Sequence, residues 1–148
     1  MNIVFLDIDY VLNSYRKSKE IYELTGKRHS GKDFPFDEVC MNNFKKLIYE
    51  TNSYIVLSSS WRKYEDHMIV LKDKLLEYDL FDRVIACTDI IGDRVLEIEK
   101  FLDGVSCRFV ILDDITDMRE LNDYLVCINA YYGLTSNDVD KAIKILKL

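Results

Sequence analysis

Asp7 and Asp9 close an apolar run in MNIVFLDIDYVLN. Their i, i+2 spacing puts both carboxylates on one side of an extended chain. Two other apolar runs end in similarly reactive residues. YIVLSSSWR ends in Ser58, Ser59 and Ser60, and FVILDDITDM ends in Asp113 and Asp114 with Asp117 close behind. Between them, GDRVLEIEKFL brings Arg94. Carboxylates gathered at one rim raise one another's pKa, and a divalent cation removes the conflict. Hard oxygen donors with room for water and a phosphate suit Mg²⁺. A serine hydroxyl and turn amides at a helix N-terminus suit a phosphate oxygen, and an arginine offsets the charge of a transferring phosphoryl group. One carboxylate can attack phosphorus while its neighbour protonates the leaving oxygen and then activates water. The expected catalytic set is therefore Asp7, Asp9, Ser58 and Arg94. The expected Mg²⁺ ligands are Asp7, Asp9, Asp114 and Asp113, with Asp114 placed ahead of Asp113.

Each assignment has a plainer competitor. Ser58 directly ends its run and is preferred over Ser59 as the phosphate ligand, while Ser60 suits a helix cap. Asp117 also suits a cap, and Arg94 in a first helical turn also suits a solvated surface. Trp61 and Arg62 offer base stacking and a phosphate contact, although a tryptophan after a strand is more often core. His29 and His67 stand alone and receive no role.

The elements that must position these residues alternate in type. Asn2–Leu6 reads as a buried strand. A helix capped by Asp37 follows, with Val39, Phe44, Leu47 and Ile48 on its apolar face. Next come a strand over Ser53–Leu57, a helix near Tyr64–Tyr78, a strand over Arg83–Cys87 and a helix over Asp93–Leu102. A strand over Arg108–Leu112, a short helix near Asp117–Leu121, a strand over Leu125–Ile128 and a helix from Ser136 to Leu146 complete the chain. Such alternation predicts a doubly wound α/β domain over residues 1–148, a parallel sheet with helices on both faces. Ligands in that class sit at the carboxyl ends of the strands, where the reactive residues lie.

Composition sets further bounds. The chain has 148 residues, 49% hydrophobic and 31% charged, enough for one cored domain. It shows no basic leader before an apolar segment and no run long enough to span a bilayer, so a cytoplasmic protein without membrane contact is expected. Cys40, Cys87, Cys107 and Cys127 show no C-x-x-C spacing and read as buried free thiols. The net charge of −6 argues against a general nucleic-acid coat. The charge is uneven, however. Residues 13–35 hold six basic and three acidic side chains, a net of +3, and the remaining fourteen basic and twenty-three acidic ones give −9. This stretch lacks sustained periodicity and reads as a long loop or flap with one short helix near Lys17–Leu24. It leaves from the reactive strand tip, so Lys27 and Arg28 are candidate substrate contacts, and Tyr15, Tyr22 and Phe34 are candidate base-stacking rings.

Taken together, DIDYVL, IVLSS and ILDD resemble the motifs of the haloacid dehalogenase-like phosphatases across nearly the whole chain. The resemblance makes Arg94 the basic third motif, with Lys100 as its competitor. SSSWR and the tail YYGLTSNDVDKAIKIL are similar to a compact, capless subgroup that also occurs as modules in RNA-repair proteins of the polynucleotide kinase–phosphatase kind. It implies the strand order 3-2-1-4-5 and a Mg²⁺-dependent phosphomonoesterase acting through an aspartyl phosphate. The implied substrate is a nucleic-acid 3′-phosphate end or a nucleotide or other small phosphorylated metabolite, with no obligate protein partner. Tyr10 departs from the glycine common after the second aspartate. Two other classes compete: a phosphoacceptor receiver module and an inactive binding relative. Receivers carry their acidic pair on the first strand and the acceptor on the third, which Val84–Thr88 does not supply. The retained Asp7, Asp9, Ser58 and Asp114 argue against an inactive relative.

Overall fold

Strand alternation builds two cores around one sheet. In β1 (Asn2–Leu6), Val4 and Leu6 join one apolar cluster and Ile3 and Phe5 join another, because successive side chains leave a strand on opposite faces. The computed structural model describes residues 1–147. Its remaining strands are β2 (Ser53–Leu57), β3 (Val84–Cys87), β4 (Arg108–Asp113) and β5 (Leu125–Cys127). All pair in parallel, in the order β3-β2-β1-β4-β5. The expected doubly wound α/β fold and strand order are both present.

Helices α2 (Glu38–Thr51), α3 (Glu65–Glu77) and α5 (Ser136–Lys147) cover the first face, through Phe44, Leu47, Leu71, Leu75, Val139 and Ala142. Helix α4 (Arg94–Leu102) covers the second through Val95 and Ile98, joined by Met118 and Leu121 of the short segment near Arg119–Tyr124. No helix of the described residues is long and apolar enough to cross a membrane.

Two expectations need correction. The short helix expected near Lys17–Leu24 within the 13–35 flap is present but longer, so less of the stretch is loop: α1 spans Tyr15–Thr25, capped by the Ser14 hydroxyl at the Lys17 N–H and ended by Gly26 at φ 70°. It buries no residue. Ion pairs from Arg16 to Asp37 (2.7 Å) and Lys17 to Glu38 (2.8 Å) hold it instead. After α1 the chain crosses through a turn at Gly31–Asp33 to Lys32–Asp66 at the start of α3 (3.9 Å). It returns where Phe36 bridges to Asn13. The cysteines are free thiols, but only Cys40 is buried; Cys87 and Cys127 are exposed. Both end edge strands, where helices no longer cover every outward side chain.

The loop after β5 underpins the loop after β1. Leu134 N–H donates to Val11 O (3.0 Å), and Gly133 sits at φ +63°. A Cβ on Gly133 would lie 2.5 Å from Cys40 Sγ and 2.9 Å from Asn13 O. Gly133→Ala is therefore expected to lower Tm by about 5 °C, combining positive-φ strain with overpacking. Thermal melts of Gly133→Ala and Gly133→Ala/Cys40→Ala test this, with partial recovery expected in the pair. Equal losses in both would rule out the Cys40 clash.

Candidate active site

Register brings three strand tips together. Leu6 pairs with Leu57 on one side and Leu112 on the other. The ladder runs one step further, with Ser58 N–H donating to Leu6 O (3.0 Å) and Asp7 N–H to Leu112 O (3.1 Å). Ser58, Asp7 and Asp113 therefore stand side by side at the carboxyl edge of the sheet. Carboxylate oxygens of Asp7, Asp113 and Asp114 lie within 4.8 Å of one another.

This crowding is electrostatically costly, and the chain answers it in part. Burial first, and then the Asp113 charge, push the Asp7 carboxyl up to about 8 against the pull of Arg94. Burial also lifts Asp113 to about 6, opposed by Arg94 and aided by Asp114. Arg94 Nη1 donates to Asp113 Oδ2 at 2.5 Å and stands 3.8 Å from Asp7. The arginine thus favours charge on Asp113 and leaves the proton on Asp7 at neutral pH. Three hard carboxylate donors that repel one another fit a divalent cation of the Mg²⁺ kind.

A stability prediction follows, with a defined sign. The Asp7 carboxyl is raised from 3.8 to about 8 on folding, so between these values the folded state binds the extra proton. The corresponding stability is present at low pH and lost as pH rises toward about 8. Without metal, Asp7→Asn should gain Tm relative to the parent as pH rises through this window, then level off. Mg²⁺ should stabilise the parent more at pH 8 than at pH 6, because the cation competes with fewer protons. Melts across pH with and without Mg²⁺ check both trends. A pH-independent difference would show that Asp7 carries no such shift.

Asp9 occupies a different setting. Its Oδ1 accepts from Asn13 Nδ2 and from Trp61 Nε1, each at 3.1 Å, and it lies outside the three-carboxylate cluster. Tyr10 follows at φ 65°, the left-handed backbone for which a glycine is the usual choice. Asn13 Oδ1 accepts the Tyr10 N–H (2.5 Å), which holds the turn. Trp61 is core, 2% exposed, so it does not stack on bases. Its indole N–H orients Asp9.

The serines divide their work. Ser58 Oγ is buried with no hydrogen-bond partner among the described residues. Buried hydroxyls are normally satisfied, so this one is open to an acceptor oxygen brought by a ligand. Ser59 Oγ instead accepts the Trp61 N–H (3.1 Å) and caps the turn at Ser60–Lys63. On the basic side, Arg94 reaches the carboxylates, whereas Lys100 is an exposed side chain paired with Asp89 at 2.7 Å. Asp117 caps, accepting from Arg119 N–H and Asn122 Nδ2.

Arg62 requires a correction. Its side chain is 4% exposed. It donates to Ser58 O (3.1 Å), Ser59 O (2.6 Å) and Thr88 O (3.0 Å), and it pairs with Glu97 at 2.9 Å. With its guanidinium committed, Arg62 braces the serine turn rather than meeting substrate. Lys27 and Arg28 follow the end of α1, and Arg28 lies over the Tyr22 ring (4.3 Å). Neither contacts the carboxylate cluster.

Sequence reasoning missed two positioning residues. Asn13 orients Asp9, and its only sequence signal is a polar residue closing YVLN. Glu97 is 4% exposed and accepts from the Ile91 and Gly92 N–H groups (2.8 and 3.2 Å). Burial opposes its charge, but those amides and Arg62 hold its carboxyl below the usual range. It ties the Arg62 brace to the helix of Arg94, whose Nε stands 3.8 Å away.

A scan against protein families matches residues 3–139 to the HAD domain in Swiss Army Knife RNA repair proteins. Searches of curated proteins and of solved structures return no match.

Proposed function

The chain belongs to the family of HAD domains in Swiss Army Knife RNA repair proteins, and from that premise we propose that it is a Mg²⁺-dependent phosphomonoesterase acting through an aspartyl phosphate. Its substrate is a nucleic-acid 3′-phosphate end or a nucleotide or other small phosphorylated metabolite. The observation that carries this reading is the buried, unpartnered Ser58 hydroxyl beside the Asp7–Asp113–Asp114 cluster.

Asp7, Asp113 and Asp114 would hold the cation, which when bound supplies positive charge that keeps Asp7 ionised and draws charge from the phosphoryl oxygens. Ser58 Oγ–H donates to one of those oxygens, and Arg94 sets a further positive charge beside them. Asp7 attacks phosphorus; its new O–P bond forms as the bond to the leaving oxygen breaks, and Asp9 protonates that oxygen. Asp9, now ionised, takes a proton from water, whose oxygen attacks the aspartyl phosphate. The Asp7 O–P bond then breaks, releasing phosphate and restoring both carboxyl groups. Asn13 and Trp61 occupy one oxygen of Asp9, which leaves the other free for proton transfer. The receiver reading finds no support in the site, since β3 leads through Cys87 to Thr88 before any acid, and Asp89 beyond it is exposed and paired with Lys100 rather than joined to the carboxylate cluster.

The test is a panel of 3′-phosphorylated oligonucleotides, nucleotides, sugar phosphates and an aryl phosphate, each with and without Mg²⁺. Mg²⁺-dependent phosphate release is expected. Absence of release from every substrate at saturating Mg²⁺ would reject the proposal.

A further inference from the structure

A groove of about 440 Å³ is lined by Tyr15, Lys19, Tyr22, Glu23, Arg28 and Tyr131. Two separate segments build it, α1 with the turn that follows it and the loop after β5. Backbone bonds lock them together, from Tyr15 N–H to Ala130 O (3.1 Å) and from Arg16 N–H to Tyr131 O (2.9 Å). The rings are not core: Tyr15, Tyr22 and Tyr131 are 50%, 40% and 42% exposed. Anchoring of α1 does not require them either, since Ser14, Arg16 and Lys17 already fix it to Asp37 and Glu38.

The groove connects to the candidate active site through aromatic rings. Tyr15 stacks on Tyr10, with centroids 4.8 Å apart and planes 26° apart, and Tyr10 directly follows Asp9. Phe34 meets both rings edge-on. The charges are also sorted. Arg16, Lys17 and Lys32 are engaged with acids, whereas Lys19 and Arg28 make no ion pair among the described residues. Two cations therefore face the groove against the single carboxylate of Glu23.

Stacking faces interleaved with cations that make no ion pair, one of them Arg28 over a face of Tyr22 at 4.3 Å, are the recognition chemistry of a single-stranded nucleic acid, whose bases each offer a π-face and whose backbone offers phosphates. We propose that this groove binds bases of a single-stranded polynucleotide whose terminal phosphate lies between Asp7 and Ser58. The site then acts on strand ends in preference to small metabolites. Tyr10 and Tyr15 carry the strand from the reacting phosphate to the groove, Tyr22 and Tyr131 stack bases, and Lys19 and Arg28 meet internal phosphates. This inference rests on the phosphatase reading above.

The full chain is tested with 3′-phosphorylated oligouridylates of one to six nucleotides, with an aryl phosphate, and by anisotropy of a labelled hexauridylate lacking a terminal phosphate. The kcat/KM is expected to rise with length. Tyr22→Ala/Tyr131→Ala should lose about tenfold more on the hexamer than on the aryl phosphate, and weaken hexauridylate binding to match. Lys19→Ala/Arg28→Ala should flatten the slope of log K against log salt by about 1.4, two phosphate contacts' worth for a single strand. Circular dichroism of each variant confirms that it is folded. If length has no effect and both substrates suffer alike, the groove inference fails while the phosphatase reading stands. If no phosphate ester is hydrolysed yet the tyrosine pair abolishes hexauridylate binding, the phosphatase reading fails and the groove remains a strand-binding site.

Discussion

Asp7→Asn is expected to lower kcat/KM by about 10⁴-fold or more, the scale on which loss of a covalent nucleophile acts in hydrolases. The amide is nearly isosteric, so lost geometry is not the reason. An amide oxygen is a poor nucleophile toward phosphorus, and it removes one of three carboxylates from the cluster. The fold should survive and even benefit. Asp7 is 8% exposed, and its ionisation is opposed by burial and by Asp113, so the neutral amide relieves that cost in the metal-free state. Arg94 keeps its bond to Asp113. Loss of activity with undiminished metal-free Tm is thus what a carboxylate serving the reaction, as nucleophile and cation ligand, should give. A well-folded Asp7→Asn protein with parental turnover would falsify the assignment. If inactivation came with a collapse in Tm, Asp7 would be a structural carboxylate.

What the sequence made legible is what depends on strands. Apolar runs identified all five strands with boundaries close to those observed, and the reactive residues appear at the strand tips because a parallel sheet aligns its carboxyl ends. What stayed hidden depends on partners remote in sequence. Arg62 looks like a free cation beside serines, and only Glu97 on α4 reveals it as a brace. The short helix near Lys17–Leu24 was legible, but not its anchoring: ion pairs hold α1, one of them to Asp37, which also caps α2. The choice between Arg94 and Lys100 could not be made from one helix, since it depends on which side chain faces Asp113 and which faces Asp89. The flap sequence foretold its tyrosines, but not that Tyr131 comes from the far end of the sheet to meet them.

Asp9→Asn should divide the reaction in two. The amide oxygen can still accept from Asn13 and Trp61, so the loop geometry is retained, while the proton-transferring oxygen is replaced by an NH₂ group. Against an unactivated alkyl phosphate, turnover should fall by about 10² to 10⁴-fold, because the leaving alkoxide is no longer protonated. An aryl phosphate with a good leaving group relieves that requirement, since its phenolate departs without a proton. Asp7 should then still be phosphorylated, but water is no longer activated, so the reaction halts after about one equivalent of phenol. The expected observation is a burst on mixing, with one phosphoryl group retained per chain and lost in Asp7→Asn/Asp9→Asn. Steady release at the parental rate, with no retained phosphoryl group, would remove Asp9 from the hydrolytic step. It would also leave the Asn13 and Trp61 contacts as scaffolding for the turn at Tyr10 alone.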